Sequence, residues 1–265
     1  MYHTHWGLQS SPFGIDVRKA AASASFDEAL ARLQYLLDQR GRVGLLLGPS
    51  GTGKTTLLRR FCDISRSRGL PAAFISGIGC DTRGWLKQLA REWCLPVSNK
   101  SDLSQTWELV TDRLVELRYE QTPAIVALDD ADRATDDVRC QLERLAQTAA
   151  NSSAQLTVLL GSCPETASDL GRTWLDQVDL RIDLSPWTED EMAEHVARRL
   201  FHSGSEQPIF TDDAIAALHE LSGGIPRKVE QIAQLALLAG AGQELTEIDA
   251  ATLAEAYEEL GGGGL

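Results

Sequence analysis

The chain has 265 residues, of which 43% are hydrophobic and 24% are charged, as is ordinary for a globular protein that buries a core. Its formal net charge of −13 disfavours generic nucleic-acid binding, because such binding neutralises phosphates with basic side chains. Its five cysteines are odd in number and lack C-x-x-C spacing, so neither a disulfide framework nor a zinc site is expected.

The sequence carries no sign of a membrane segment or a secretory signal. No apolar window approaches the ~18 consecutive residues that a membrane-spanning helix needs. The N-terminus has no basic region followed by an apolar stretch. We therefore expect a cytoplasmic protein without direct membrane insertion.

The first predicted elements lead into a glycine-rich segment. Ser25 and Glu28 form a capping-box pattern ahead of leucines at helical spacing, which predicts a helix that ends at Gly41. The apolar run Val43–Leu47 predicts a buried strand, and residues 54–66 predict the helix that follows the glycines.

Strands and helices then alternate along the chain. The patterns predict strands at residues 71–75, 123–128, 156–160 and 180–184, and helices at 83–93, 102–118 and 136–149. Such alternation indicates a parallel sheet that is covered by helices on both faces. The predicted fold class is therefore α/β, with a three-layer αβα architecture.

The pattern changes near Ser185, after which no strand is predicted. The helix starts that follow are indicated by Thr188, Thr211, Pro226 and Thr246. We predict two domains, an αβα domain at residues 1–185 and a small helical domain at 186–265 that ends in a glycine-rich tail.

A phosphate-binding motif lies between the first predicted strand and the next helix. Residues 48–55 read GPSGTGKT and match G-x-x-x-x-G-K-[ST], in the strand-to-helix context that this motif requires. The glycines allow consecutive backbone N–H groups to surround phosphate oxygens, next to the positive end of the helix. Lys54 would reach the β- and γ-phosphates, and Thr55 would ligate Mg²⁺. The less specific alternative is a glycine-rich turn that happens to precede a helix.

The sequence therefore predicts a site for ATP or ADP with Mg²⁺. The predicted nucleotide-binding residues are Gly48, Pro49, Ser50, Gly51, Thr52, Gly53, Lys54, Thr55 and Thr56.

Acidic residues follow the third predicted strand. Residues 124–130 read AIVALDD, so a buried strand delivers Asp129 and Asp130 to the carboxyl end of the sheet, where open α/β sheets bind ligands. We predict that Asp129 holds Mg²⁺ and that Asp130 polarises the attacking water, with Asp132 as a weaker alternative for the second role. The other interpretation is a cluster of acids that caps the next helix.

With these motifs in place, the chain resembles the AAA+ ATPases of the ExeA, or general secretion pathway A, type, which are related to transposition ATPases of the TnsC and MuB kind. The resemblance rests on the opening residues 2–13, on ALARL at 29–33 and on SGGIPR at 222–227. It implies an AAA+ member of the P-loop NTPases whose C-terminal helices form a lid. It also implies a homo-oligomer that acts on a protein partner in a secretion or pilus system.

The resemblance further implies roles for individual residues. Arg227 would be the sensor-2 arginine, which reaches the γ-phosphate from the lid, and Asp130 stands where many family members have Glu. Ser162 would be the sensor-1 residue, although the family more often reads GQPE where this chain reads GSCPE; a turn-forming serine is the alternative. The arginine that acts on a neighbouring subunit would be Arg172 or Arg181, each of which is alternatively a surface charge.

Three functions are compatible with these features: an ATP-hydrolysing enzyme that drives assembly, a scaffold that is gated by ATP binding with little turnover, and a DNA-binding transposition-type ATPase. The third depends on uneven charge, because residues 40–100 carry eleven basic and three acidic side chains, a net +8 that leaves −21 elsewhere. Arg83, Lys87 and Arg91 would share one helix face, which is alternatively a solvated surface. DNA is therefore an admissible partner but not the favoured one.

Several aromatic side chains are predicted to pack in a core rather than to bind ligands. Trp85 and Trp93 interleave with basic residues, but they fit a core-facing stripe better than a base-stacking platform. Trp6, Phe13 and Phe26 are expected to pack against the αβα core.

Overall fold

The computed structural model describes residues 2–13, 23–98 and 100–259. These residues fall into two compact units. The sheet unit contains a β-sheet with its flanking helices and is formed by Ser25–Ser50 and Lys54–Leu184. The helical unit combines the N-terminal segment, Gly51–Gly53 and the described residues from Ser185 onward.

The sheet unit is built on five strands. They are β1 Val43–Leu47, β2 Ala72–Ser76, β3 Ala124–Asp129, β4 Leu156–Ser162 and β5 Leu180–Asp183. Their order is β2-β3-β4-β1-β5, and every neighbouring pair is parallel. Side chains of β1, β3 and β4 are buried along the whole strand, which explains why each reads as a continuous apolar run.

Helices cover both faces of this sheet. One layer contains α2 Ala24–Asp38 and α3 Lys54–Ser67, and the other contains α4 Thr82–Glu92, α5 Leu103–Glu120 and α6 Asp136–Ser152. Alternate residues of β3 face opposite layers: Ile125 and Ala127 pack with α2 and α3, whereas Val126 packs with α4 to α6. Trp85 and Trp93 are buried in the second layer, as predicted. The three-layer αβα fold is therefore confirmed.

Side chains donate hydrogen bonds to main-chain carbonyl oxygens on both edge strands of the sheet. On β2, Arg66 Nε donates to the Ala72 carbonyl oxygen at 2.9 Å, and Gln88 Nε2 donates to that of Phe74 at 3.2 Å. On β5, Arg32 Nη2 donates to the Arg181 carbonyl oxygen at 3.3 Å. The helices next to each edge thus supply the partners that a further strand would otherwise provide.

The helical unit has its own hydrophobic core. Its helices are α1 Tyr2–His5, α8 Glu189–His202, α9 Asp212–Ser222, α10 Pro226–Gly242 and α11 Ala250–Glu259, while α7 Arg172–Leu175 belongs to the sheet unit. Trp6 and Phe13 are buried in this core, so the expectation that they pack against the αβα core is wrong. Trp6 Nε1 donates to the Leu237 carbonyl oxygen at 2.8 Å, which satisfies the indole there. Phe26, by contrast, packs in the sheet unit as expected.

Three of the predicted helix starts in the helical unit are confirmed. Thr188 and Glu191 form the predicted capping box at α8, and the Thr211 side chain accepts from the Ala214 N–H at α9. Pro226 occupies the first position of α10. No helix among the described residues is long and apolar enough to cross a membrane.

Two predicted helix caps are wrong. Helix α2 begins at Ala24, so Ser25 lies inside the helix instead of preceding it. Helix α11 begins at Ala250, where Asp249 Oδ1 accepts from the Thr252 N–H at 2.9 Å, and Thr246 lies too early to cap it. A carboxylate is at least as good an N-cap as a hydroxyl, so the nearer Asp takes the role.

Candidate nucleotide-binding site

The glycine-rich segment forms the connection between β1 and α3, as the motif requires. It begins directly after Leu47, and α3 begins at Lys54. Gly51 and Gly53 adopt φ values of +93° and +102°, which side chains rarely tolerate. A methyl group on Gly53 would meet nothing within 4 Å, so glycine is required there by the backbone conformation alone.

Lys54 folds back over the loop that precedes it. The side chain is buried, and its Nζ donates to the carbonyl oxygens of Gly48 at 2.5 Å and Pro49 at 3.1 Å. The same nitrogen lies 3.7 Å from Cys163 Sγ. A buried ammonium at the positive end of a helix suits this segment to bind a polyanion.

Thr55 and Asp129 are brought together although they are far apart in the sequence. Thr55 Oγ1 donates to Asp129 Oδ2 at 2.6 Å. Asp129 ends β3, and β4 lies between that strand and β1. Burial raises the pKa of the Asp129 carboxyl; the Thr55 hydrogen bond opposes this shift, and the charge of Asp130 adds to it.

The surroundings of Asp129 fit a Mg²⁺ ion. Asp129 is only 4% exposed, and its Oδ1 has no hydrogen-bond partner among the described residues. The absent side chain of Gly161 leaves room beside that oxygen, because a methyl group there would lie 3.1 Å from it. Carboxylate and hydroxyl oxygens are ligands that Mg²⁺ prefers, with phosphate oxygens completing the coordination. No group of three or more His, Cys, Asp or Glu side chains within residues 2–13, 23–98 and 100–259 could hold a metal alone.

Asp130 differs from Asp129 in both backbone and surroundings. It follows β3 in the left-handed conformation, with φ of +48° and ψ of +46°, and it precedes a 3₁₀ turn at Ala131–Arg133. Asp is among the side-chain-bearing residues that adopt this conformation most readily. Asp132 has one oxygen engaged, since Thr166 Oγ1 donates to its Oδ2 at 2.5 Å, whereas its Oδ1 is buried without a partner among the described residues.

The segment after β4 brings an unpredicted residue to the site. Ser162 is fully buried, pairs with Leu47 of β1 and donates through Oγ to the Cys163 carbonyl oxygen at 3.1 Å. It is therefore Cys163, and not Ser162, that contacts Lys54. The sequence shows that GSCPE has one residue more than the family's GQPE. It does not show that the side chain facing Lys54 would be that of Cys163.

The candidate arginines have different environments. Arg227 is the second residue of α10, and its backbone N–H donates to the Gly51 carbonyl oxygen at 3.3 Å within the helical unit. Arg181 is held by Asp183, which accepts from its Nε and Nη2 at 2.8 to 3.0 Å. Arg172 is exposed at the start of α7, and its guanidinium has no partner in the described part of the chain.

Comparison with known proteins identifies related sequences. Residues 27–160 match the AAA ATPase domain family. General secretion pathway protein A from Aeromonas hydrophila is 33% identical over 249 residues, which cover 90% of this chain and 45% of that protein. The chain thus spans less than half the length of this relative. The resemblance to the general secretion pathway A type is confirmed.

Solved structures share the fold at low identity. Cdc6p from Pyrobaculum aerophilum gives a TM-score of 0.72 at 20% identity, over 94% of this chain and 70% of that one. ORC2 from Aeropyrum pernix gives 0.64 at 17% identity, over 88% and 66%. The RuvB Holliday junction branch migration motor from Thermotoga maritima gives 0.61 at 18% identity, over 97% and 76%. At these identities the likeness shows the fold alone.

Proposed function

Because the chain belongs to the AAA ATPase family, we propose that it binds ATP with Mg²⁺ and hydrolyses the nucleotide to ADP and phosphate. The observation that carries this proposal is the pairing of Thr55 with Asp129, whose second carboxylate oxygen is buried without a partner beside the glycine-rich loop. Such an oxygen is costly to bury unless a ligand satisfies it. A cation held jointly by the protein and by nucleotide phosphates would do so.

The residues divide the work as follows. Backbone N–H groups of residues 48–56 other than Pro49, together with the Lys54 ammonium, would hold the phosphates, and Thr55 with Asp129 would hold Mg²⁺. When bound, Mg²⁺ neutralises charge on the phosphate oxygens. Asp130 orients the water that attacks the γ-phosphorus and accepts its proton. Asp132 is the weaker alternative, with one oxygen bonded to Thr166 and the other buried without a partner among the described residues.

The remaining candidates act on the γ-phosphate or on its surroundings. Arg227 contributes a cation from the helical unit, in keeping with its exposed guanidinium, which has no partner among the described residues. Ser162 would orient the attacking water, because it lies at the end of β4 beside β1, the strand that leads into the glycine-rich loop. Its hydroxyl would have to release the Cys163 carbonyl before it could bond water.

The active form is a homo-oligomer in which one subunit completes the site of the next. Arg172 is the better candidate for this role, because Arg181 is already bound in a bidentate pair with Asp183. The oligomer acts in the cytoplasm on a protein partner of a secretion or pilus system. This last step rests on the 33% identity to General secretion pathway protein A.

The test is ATP turnover by the purified chain with Mg²⁺, together with its mass by light scattering with and without ATP. We expect turnover that is lost in Lys54→Ala and Asp130→Asn and retained in Asp132→Asn. Arg172→Ala should lower turnover only under conditions in which oligomers form, with Arg181→Ala as its matched control. Tight ATP binding without turnover under any condition would instead indicate a nucleotide-gated scaffold.

A second candidate is DNA binding, which one observation favours. Arg83 and Arg91 are exposed on α4, on the side opposite the buried Trp85 and Trp93. A gel shift that weakens as salt rises, and that Arg83→Glu with Lys87→Glu removes, would support this function. Absence of a shift at low salt would reject it.

A further inference from the structure

The turn that precedes Arg227 is held by a residue far away in the sequence. Helix α9 ends at Ser222, and Gly223 and Gly224 follow with φ values of +60° and +67°. The Trp187 N–H donates to the Gly224 carbonyl oxygen at 2.8 Å. Trp187 lies in the segment between β5 and α8, some way upstream of the turn that it binds.

The carbonyl group of Trp187 is also engaged. His219 Nε2 donates to the Trp187 carbonyl oxygen at 2.9 Å. A methyl group on Gly224 would lie 2.3 Å from that same oxygen and 3.2 Å from His219 Nε2. The second glycine of the SGGIPR segment is therefore required twice, by its φ and by the close approach of Trp187.

Ser222 braces the turn from within. The side chain is buried, and its Oγ donates to the His219 carbonyl oxygen at 3.3 Å and accepts from the Gly224 N–H at 3.2 Å. The Ile225 N–H donates to the Ser222 carbonyl oxygen at 3.3 Å. Pro226 then starts α10 with a fixed φ, so few torsions remain between this network and Arg227.

The Trp187 ring also contacts a residue of the helical unit. Its centroid lies 4.4 Å from that of His195, a residue of α8 that is 1% exposed. His195 Nε2 is 3.3 Å from Glu230 Oε1, which belongs to α10. The ring therefore packs against a buried imidazole that lies close to Glu230 of α10 without a hydrogen bond to it.

We propose that His219 and Trp187 are positioning residues for Arg227, which they hold in place through the turn at residues 222–226. The inference rests on the proposed function, in which Arg227 acts on the γ-phosphate. His219 donates one hydrogen bond to the Trp187 carbonyl oxygen, and the Trp187 N–H in turn binds the Gly224 carbonyl oxygen. Neither side chain needs to touch the nucleotide.

A double-mutant cycle tests this arrangement. We expect Arg227→Ala to lower kcat about 100-fold, as for the loss of a cation at the reacting phosphate, with a smaller change in KM. His219→Ala should lower kcat about tenfold, in proportion to one hydrogen bond. The double variant should be no slower than Arg227→Ala alone, because a positioning residue has no effect once its arginine is gone.

Two further variants separate positioning from a general loss of structure. His219→Gln places an amide N–H where it can donate to Trp187 and should restore kcat to within about twofold of the parent. His202→Ala is the matched control, because His202 Nδ1 contacts the Arg198 carbonyl oxygen at 2.7 Å in the same unit, and it should leave kcat unchanged. Melting temperatures of all variants would report any unfolding.

The outcomes distinguish the inference from the function on which it rests. If Arg227→Ala alters neither ATP binding nor kcat, the role of Arg227 is rejected, and the positioning of Arg227 falls with it. If Arg227→Ala acts but His219→Ala is silent, or if the two effects multiply, the inference is overturned while the proposed function stands.

Discussion

Gly53 and Gly224 lie in two turns that each lead into a helix, and the two positions need glycine for different reasons. At the turn before α3, a methyl group on Gly53 would meet nothing within 4 Å. At the turn before α10, a methyl group on Gly224 would lie 2.3 Å from the Trp187 carbonyl oxygen. Space is thus open beside Gly53 and filled beside Gly224. Each turn also holds a glycine of the other kind, since a methyl group on Gly51 would lie 2.9 Å from Ile225 Cγ2 and one on Gly223 would meet nothing within 4 Å.

The difference predicts how each turn responds to substitution. Changes in the first should impair nucleotide binding more than folding, and changes in the second should impair folding at least as much as catalysis. Lys54 in the helix after the first turn and Arg227 in the helix after the second are the side chains whose loss should impair action on phosphate.

The largest expected effect is that of Lys54→Ala. Removing the buried ammonium should lower ATP hydrolysis by about 100- to 1,000-fold, as for other groups that stabilise charge in a transition state. Lys228→Ala is the matched control, because Lys228 is exposed near the start of α10, the helix that follows the second turn as α3 follows the first. Comparable losses in both variants would contradict the contrast between the two turns.

Alanine substitutions at the two glycines give the next largest effect. Gly224→Ala should lower the free energy of unfolding by about 3 kcal/mol, because backbone strain and a clash with Trp187 both apply. Gly53→Ala should cost only the strain, about 1–2 kcal/mol, while it weakens ATP binding. Urea denaturation and nucleotide titration of the two variants measure these quantities. Equal stability losses would show that the packing at Gly224 contributes nothing.

Asp129→Asn should stabilise the protein while it removes activity. Because the folded pKa of Asp129 is raised above 3.8, the native state binds this proton more tightly, and stability falls as pH rises through the shifted pKa. Above that pH, without Mg²⁺, the Asn variant should exceed the parent in stability by about 1 kcal/mol. The advantage should vanish as pH falls toward 3.8. Thermal melts across pH with EDTA would measure this, and an Asn variant that is less stable at neutral pH would refute it.

The smallest expected effect is that of Cys163→Ser. The thiol contacts Lys54 through a long, weak interaction, so ATP affinity should change by no more than about threefold. Alkylation of Cys163 in the parent should have a larger effect, since added bulk would lie beside the lysine. ATP should slow that alkylation, and Cys94→Ser, at an exposed thiol, is the control. Alkylation that leaves ATP binding intact would place the nucleotide away from Cys163.

The sequence was sufficient for the parts of the fold that depend on short stretches. β1 has its predicted bounds. The glycine-rich loop follows a strand, and Asp129 and Asp130 lie at the end of β3, as predicted. These predictions succeeded because hydrophobic periodicity and short motifs depend only on neighbouring residues. Cys163 was missed because the side chain that faces Lys54 depends on the course of the turn after β4. The prediction that Trp6 and Phe13 pack against the αβα core was wrong because an apolar segment indicates that its side chains are buried but not which core they join. The support of Gly224 by Trp187 had no local signal at all.

The occupied carbonyls of β2 and β5 limit how copies of the chain can associate. Arg66 and Gln88 at one edge and Arg32 at the other already use oxygens that an incoming strand would need. A continuous sheet running from one subunit into the next would first have to break these bonds. Association of copies through these sheet edges would therefore compete with existing hydrogen bonds, whereas association through helices and loops would not. Contacts between helices and loops would form and break while the hydrogen-bonded sheet within each copy stays intact.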